Sequence, residues 1–208
     1  DLHRLDRRQR QMCIRDRAFD RYEDLIADPD LDIVYVGTPD AVHKAHTLLA
    51  LEAGKHVLCE KALATTVADA QEMHAAAKQQ DVMLQDGVWS RFFPAVEHAR
   101  HLIEEGAIGD VVMVQADFDA LYTGQVVTMA YGADAKPVDI KVSGEQGGPG
   151  GAIIEFAGNR FAVLTFIAFP SEFPEVFEIT GTKGRITLEQ PGHCPTALTV
   201  RILSLIHI

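Results

Sequence analysis

DIVYVGTPDAVHKAHTLLALEAGKHVLCEKALATT, residues 32–66, decides the fold class. Its opening, DIVYVGTP, is a near-continuous apolar run rich in β-branched residues, as in a strand buried on both faces of a sheet. The run stops at a Gly37-Thr38-Pro39 turn. Val42, Ala45, Leu48, Leu49 and Ala53 then fall at helical spacing before Gly54, which suits the end of a helix because glycine tolerates the left-handed backbone there. HVLCE, 56–60, follows as a second strand. Strands joined through a helix run parallel, so the stretch predicts one βαβ unit.

The pattern extends in both directions. FDRYEDLIADP, 19–29, predicts a helix stopped near Pro29. Thr66 with Asp69 predicts a helix start, with the hydroxyl and carboxylate satisfying orphan backbone donors, and that helix runs through MHAAAKQQ, 73–80. VMLQDGVW, 82–89, reads as a third strand, and PAVEHARHLIEEG, 94–106, as a helix with Val96, Ala99, Leu102 and Ile103 on one face. After Gly109 the character changes. VVMVQADF, 111–118, is a strand and YTGQVVTMAYG, 122–132, is helix-like. DIKVSG, GAIIEFAG, RFAVLTFIAF, FEITG and RITLEQ are strands of a mostly antiparallel sheet. The last pair joins through a Gly-Thr-Lys-Gly turn. The expected fold class is therefore α/β: an incomplete doubly wound parallel (Rossmann) sheet over 18–109, followed by an α+β domain with an open, mostly antiparallel sheet over 110–202.

The two ends do not follow these periods. Residues 1–17, DLHRLDRRQRQMCIRDR, carry six arginines, and RQRQMCIRDR and the terminal LSLIHI resemble translated sequencing-adapter text. The expectation is that 1–17 and 203–208 are foreign to the fold and that the chain is a fragment.

Composition narrows the function. Thirty acidic against nineteen basic residues give a formal charge of -11, which repels nucleic-acid phosphates and anionic membrane surfaces. No apolar run is long enough to span a bilayer. Cys13, Cys59 and Cys194 are far apart and form no CxxC pair, so neither a disulfide framework nor a zinc site is expected and a reducing, cytoplasmic setting fits. His43 with His46 and His98 with His101 lack the carboxylate motif of a metal pair, and Cys59 reads as packing.

Ligands of an open parallel α/β sheet bind beyond the carboxyl ends of its strands. Here those ends present Thr38 and Pro39, then Glu60 and Lys61, then Trp89 and Arg91. From residue types alone, these remain equally readable as a turn, a solvated ion pair and a core tryptophan.

Residues 32–66 resemble the Rossmann half of the glucose-fructose oxidoreductase and inositol dehydrogenase family, in which one strand ends in a Thr-Pro turn and the next in Glu-Lys-Pro. GVWSRFFPAVEHARHLIEEGAIGDVVMVQADF, 87–118, is similar to the dihydrodiol dehydrogenase branch, with its Trp-x-Arg-Phe-Phe-Pro segment. EITGTKGRITL, 178–188, resembles the family's strand-turn-strand. The resemblance implies an NAD- or NADP-dependent oxidoreductase acting on a secondary alcohol or ketone of a sugar, cyclitol or cyclic diol. It implies that Thr38 and Pro39 line the dinucleotide, Glu60 faces the nicotinamide ribose and Lys61 reaches the reacting carbinol. Trp89 would stack on substrate or ring, Arg91 would pair with a cofactor phosphate, and Tyr122 would be the acid-base tyrosine. It also implies a homodimer through the second-domain sheet, with RFAVLTFIAF as a candidate face.

Three departures stand against it. The family's Asp-x-x-x-Tyr spacing is not met, because Asp119 lies three residues before Tyr122. Ala62 occupies the proline position of Glu-Lys-Pro, releasing the restraint a proline places on the preceding lysine. No GxGxxG opens a helix; Gly147, Gly148, Gly150 and Gly151 read as a loop in the β-rich half. The alternative is therefore a catalytically silent fragment or a non-enzymatic scaffold of that family.

Overall fold

A computed structural model describes residues 17–118, 120–145, 148–166 and 175–203, excepting the side chains of 120–122. The chain divides into two compact units between Val88 and Trp89. The change of sequence pattern comes later, at Gly109, because helix 94–104 is amphipathic like the helices before it but belongs to the second unit. Of the terminal segments expected to be foreign, 1–16 and 204–208 lie outside the described residues. Arg17 pairs with Asp28 at 2.8 Å, and Leu203 N–H donates to Lys183 O at 2.8 Å.

In the first unit a short helix α1 (Tyr22–Ile26) precedes strand β1 (Ile33–Val36), helix α2 (His43–Glu52), strand β2 (His56–Cys59), helix α3 (Val67–Gln79) and strand β3 (Leu84–Asp86). The strands form a parallel sheet in the order β1-β2-β3, with Val34 opposite Val57 and Val36 opposite Cys59. The Thr66 hydroxyl accepts from Asp69 N–H at 3.1 Å, capping α3 as its sequence predicts, and Lys44 reaches Asp69 and Glu72 from α2 at 2.6 and 2.7 Å.

Val36, Val57 and Cys59 point to one face of the sheet, where Leu51 and Ala50 of α2 and Met73 and Ala77 of α3 cover them. Each fully buried Leu, Val or Met contributes about 1.5–3 kcal/mol of transfer free energy. The other face is open among the described residues: Ile33 is 48% and Tyr35 60% exposed. The expectation that DIVYVGTP is buried on both faces is thus corrected. β-Branched residues suit a strand whether one or two faces are covered, so composition alone does not distinguish the cases.

The second unit opens with a 3-10 turn (Trp89–Phe92), helix α4 (Pro94–Glu104), strand β4 (Val111–Phe118) and helix α5 (Ala120–Tyr131). Strands β5 (Pro137–Gly144), β6 (Gly150–Phe156), β7 (Arg160–Phe166), β8 (Phe177–Gly181), β9 (Gly184–Leu188) and β10 (Leu198–Ile202) follow. They join β4 in a seven-stranded sheet of order β10-β9-β8-β4-β7-β6-β5, antiparallel except where β4 runs parallel to β7. The core of this unit gathers Ala99 of α4, Val114 and Ala116 of β4, Val126, Val127 and Ala130 of α5, and Phe177, Ile179 and Ile186 of the sheet.

Two readings need correction here. The glycine run is not loop throughout, since Gly150 and Gly151 begin β6, where a β-carbon on Gly151 would sit 2.9 Å from Leu164 O. Strand β10 follows the last strand expected from the sequence. The candidate dimer strand is β7, interior to the sheet. Phe161 and Ile153 are exposed on the face that Ala162 and Ala152 do not occupy, and residues 167–169 of that segment lie outside the described residues.

The β8–β9 turn locks onto the turn before β4. Lys183 N–H donates to Ile108 O at 2.7 Å, Thr182 N–H to Asp110 O at 2.9 Å, and Asp110 N–H to the Thr182 hydroxyl at 3.0 Å. A β-carbon on Gly181 would overlap Ile108 O, a backbone atom that cannot step aside. Gly181→Ala is therefore expected to lower unfolding stability by about 1–3 kcal/mol, the usual cost of overpacking. A denaturant melt coincident with the parent chain would contradict this packing.

Candidate active site

The parallel strands end on one side of the first unit, because a βαβ crossover returns each strand in the same direction. β1 delivers Gly37, Thr38 and Pro39, after which a 3-10 turn (Asp40–Val42) leads into α2. β2 delivers Glu60 and Lys61. Glu60 N–H donates to Val36 O at 2.9 Å and Gly87 N–H to Cys59 O at 2.6 Å, so the sheet's bonding continues to the edge of the candidate site. Gly87 also has no room for a side chain: a β-carbon would lie 3.1 Å from both Cys59 O and the Glu60 α-carbon.

His43, the first residue of α2, joins the two strand-end turns. It is fully buried. One ring nitrogen, Nε2, lies 2.6 Å from Thr38 O, and the other, Nδ1, lies 2.8 Å from Ala62 O. Carbonyl oxygens only accept, so a neutral imidazole donates to one turn at a time and the imidazolium donates to both. Neighbouring His46 approaches the Thr38 hydroxyl through Nδ1 at 3.2 Å and sets its ring 4.6 Å from that of Tyr22. Two histidines three apart thus bind the protein's own oxygens. Their spacing signals a shared helix and nothing about these partners.

Glu60 is held on the open face of the sheet. Tyr35 OH donates to Glu60 Oε1 at 2.7 Å and Lys61 N–H to Oε2 at 3.0 Å. The tyrosine bond first, then the Lys61 amide, lowers the Glu60 pKa from the usual glutamate value. The same contact raises the Tyr35 pKa, since ionising the phenol would place two negative charges together. Parallel register accounts for the pair: Tyr35 faces Leu58, two residues before Glu60 and on the same side of the sheet. Lys61 is exposed, and the Lys61–Ala62 peptide bond is cis. Cys59, next to Glu60, is buried, and burial pushes its thiol pKa up.

Thr38, Pro39, Glu60 and Lys61 therefore come together at adjacent strand ends. Trp89 and Arg91 stand in the 3-10 turn beyond β3, not on the strand that VMLQDGVW predicts, and both belong to the second unit. The strand ends early because Gly87 and the turn take over its backbone. Trp89, 46% exposed, packs edge-on against Phe93 at 5.2 Å and His193 at 6.0 Å. Arg91 O accepts from Arg100. Tyr122 lies in α5, with its side chain outside the described residues, as is Asp119.

Thr38 offers a hydroxyl, Glu60 a carboxylate kept ionised, and Lys61 an ammonium. A carboxylate suits a diol, whose two hydroxyls both donate, and an ammonium suits an oxygen that gains negative charge. This donor set fits the ribose and nicotinamide end of a dinucleotide. No helix N-terminus among the described residues carries the glycine-rich turn that would cradle the pyrophosphate.

Because Glu60 has a lowered pKa, its ionised contacts persist above the normal glutamate range and fail as pH falls through the lowered value. Tyr35→Phe should move the Glu60 pKa upward, read by NMR titration of the side-chain carboxyl; an unchanged titration would show that the phenol does not hold it.

Residues 5–88 match the oxidoreductase family with an NAD-binding Rossmann fold known as GFO/IDH/MocA. The chain is 37% identical to a trans-1,2-dihydrobenzene-1,2-diol dehydrogenase of Danio rerio, over 88% of this chain and 63% of that protein. It is 32% identical to the same enzyme of Sus scrofa, over 89% and 63%. Among solved structures it resembles aldose-aldose oxidoreductase of Caulobacter crescentus in complex with glycerol, with TM-score 0.74 and 25% identity over 87% of this chain and 63% of that one. A levoglucosan dehydrogenase in complex with NADH and levoglucosan shares the fold at TM-score 0.76 and 23% identity, over 89% and 61%. The chain spans less than two thirds of the length of these relatives. The strand-helix half of the chain thus matches the GFO/IDH/MocA oxidoreductase family, and the chain as a whole is similar to the diol dehydrogenases.

Proposed function

We propose that the protein to which this chain belongs is an NAD- or NADP-dependent oxidoreductase that interconverts a secondary alcohol and a ketone on a cyclic diol, cyclitol or sugar. The observation that carries the reading is the convergence of Thr38, Glu60 and Lys61 at adjacent strand ends, with His43 bonded to both turns. The relatives support it: dihydrodiol dehydrogenases in sequence, and a sugar dehydrogenase solved with NADH and a ketoreductase solved with NADP in fold.

A bound nicotinamide would supply the hydride chemistry at the reacting carbon. The protein's own task is to hold the carbinol and manage its proton. Lys61 Nζ hydrogen-bonds the substrate oxygen and stabilises the negative charge that develops there as the hydroxyl proton departs. Glu60, already ionised and aimed by Tyr35, accepts from ribose hydroxyls. Thr38 and Pro39 line the same edge. Tyr122 is the second acid-base candidate. No helix among the described residues is long and apolar enough to cross a membrane, and Cys59 and Cys194 are free thiols, which suits a reducing cytoplasm.

A second reading, favoured by the absence of a GxGxxG turn and by Ala62 after Lys61, is that the 208-residue chain does not retain a dinucleotide. Titrating the chain into NADH and NADPH while following nicotinamide fluorescence separates the two. The oxidoreductase reading expects saturable binding, weakened about tenfold or more by Glu60→Ala through loss of a charge-assisted hydrogen bond. Fluorescence that never saturates favours the silent chain, and saturable binding indifferent to Glu60 removes Glu60 from the cofactor's contacts.

A further inference from the structure

The second unit assembles a thiol, an imidazole and a carboxylate in line. Cys194 Sγ lies 3.4 Å from His193 Nε2, and His193 Nδ1 lies 2.7 Å from Glu175 Oε2. The same carboxylate oxygen accepts the His193 backbone N–H at 3.2 Å. A carboxylate only accepts, so Nδ1 carries the ring hydrogen and Nε2 turns its lone pair toward the sulfur. Nucleophile, base and base-orienting acid thus stand in the order that activates a cysteine.

The loop that carries Cys194 and His193 is built to hold this geometry. It spans the gap between β9 and β10, closed at its base by Glu189 N–H donating to Ala197 O at 3.0 Å. Inside it, Cys194 N–H donates to Pro191 O at 3.0 Å. Pro195 is fully buried, and Gly192 packs so tightly on the Phe177 ring that a β-carbon there would overlap it. The imidazole is stacked on Phe118, centroids 5.0 Å apart and planes 7° from parallel, with the Trp89 ring edge-on to it. The side chains of His193 and Glu175 keep 28% and 16% of their exposure, and Cys194 is half-buried. Cys194 therefore keeps some exposure while its partners are held in place. Cys59, by contrast, is fully buried and donates to Leu63 O at 4.0 Å.

We propose that Cys194 is a primed nucleophile and a covalent modification site, with His193 as its base and Glu175 as the positioning residue, and that it takes α,β-unsaturated carbonyl compounds. The aromatic rings flanking His193 give the site apolar walls suited to a flat conjugated electrophile. In the reaction the thiol proton passes to His193 Nε2 and the sulfur attacks the β-carbon. The S–H bond and the C=C π bond are lost, and an S–C bond forms. The displaced π pair generates an enolate, whose α-carbon recovers the proton from Nε2–H. No electrons are exchanged with a further reagent, and Glu175 stays ionised throughout.

A free cysteine at neutral pH is only a few per cent thiolate. A base held in line removes the thiol proton as the sulfur attacks, and positioned proton transfer of this kind contributes about a hundredfold or more.

The test is N-ethylmaleimide labelling of the whole chain at neutral pH, with peptide mass mapping to separate Cys13, Cys59 and Cys194 and N-acetylcysteine as the reference thiol. Cys194 should react about tenfold or more faster than the reference. His193→Gln and Glu175→Gln should bring it back to the reference rate, and Glu175→Asp, which keeps a carboxylate for the ring to donate to, should restore part of the gain. Circular dichroism reports whether each variant folds, and the parent chain decides by itself if one does not. A parent Cys194 no faster than N-acetylcysteine overturns the proposal, as does a fast Cys194 whose rate persists in a folded His193→Gln chain.

Discussion

A buried imidazole ties the first unit to its candidate chemistry. Parallel strands leave their carboxyl ends as separate turns, each with a carbonyl that needs a donor and little else to fix it. His43 sets a ring nitrogen against each of two, Thr38 O and Ala62 O, from the first position of the helix that connects the strands. Removing the ring would leave the carbonyl it donates to under-satisfied at a buried site, a cost of about 1–3 kcal/mol. Thr38 and Lys61, which would face a ligand, are held relative to each other through this one side chain more than through any contact of their own. Glu60 is fixed separately, by Tyr35 on the open face of the same sheet.

The two halves of the chain follow different physical rules, and these set what the sequence reveals. The βαβ order was legible because apolar runs alternate with helical spacing, and Thr66 caps its helix through the predicted Asp69 contact. The burial of β1 was not, because Val, Ile and Tyr suit a half-covered strand as well as a fully covered one, and only its neighbours decide. In the second unit the strands announced themselves by alternation and the turn at 182–183 by its glycines. Gly150 and Gly151 looked like loop because their reason for being glycine, the closeness of Ser143 and Leu164 carbonyls, is a cross-strand fact.

The candidate site was legible to the same degree. Thr38, Glu60 and Lys61 could be found because strand ends are where an open parallel sheet binds, and the chain order shows which residues end strands. His43 could not be assigned its role, since spacing shows which face of a helix a residue occupies but not which turn it meets. Tyr35 could have been found: once β1 and β2 are known to be parallel, their register places it beside Glu60. The Cys194, His193 and Glu175 line was out of reach, because Glu175 is far off in sequence and comes close only through the pairing of β8 with β9.

Hydrogen exchange by mass spectrometry, with and without saturating NADPH, tests the central claim most directly. If the strand ends of the first unit receive the nicotinamide half of the cofactor, amides of residues 37–43 and 60–63 exchange more slowly with cofactor present, while those of the exposed strand Pro137–Gly144 do not change. Protection absent from both strand-end turns, or confined to the second unit, would contradict the account.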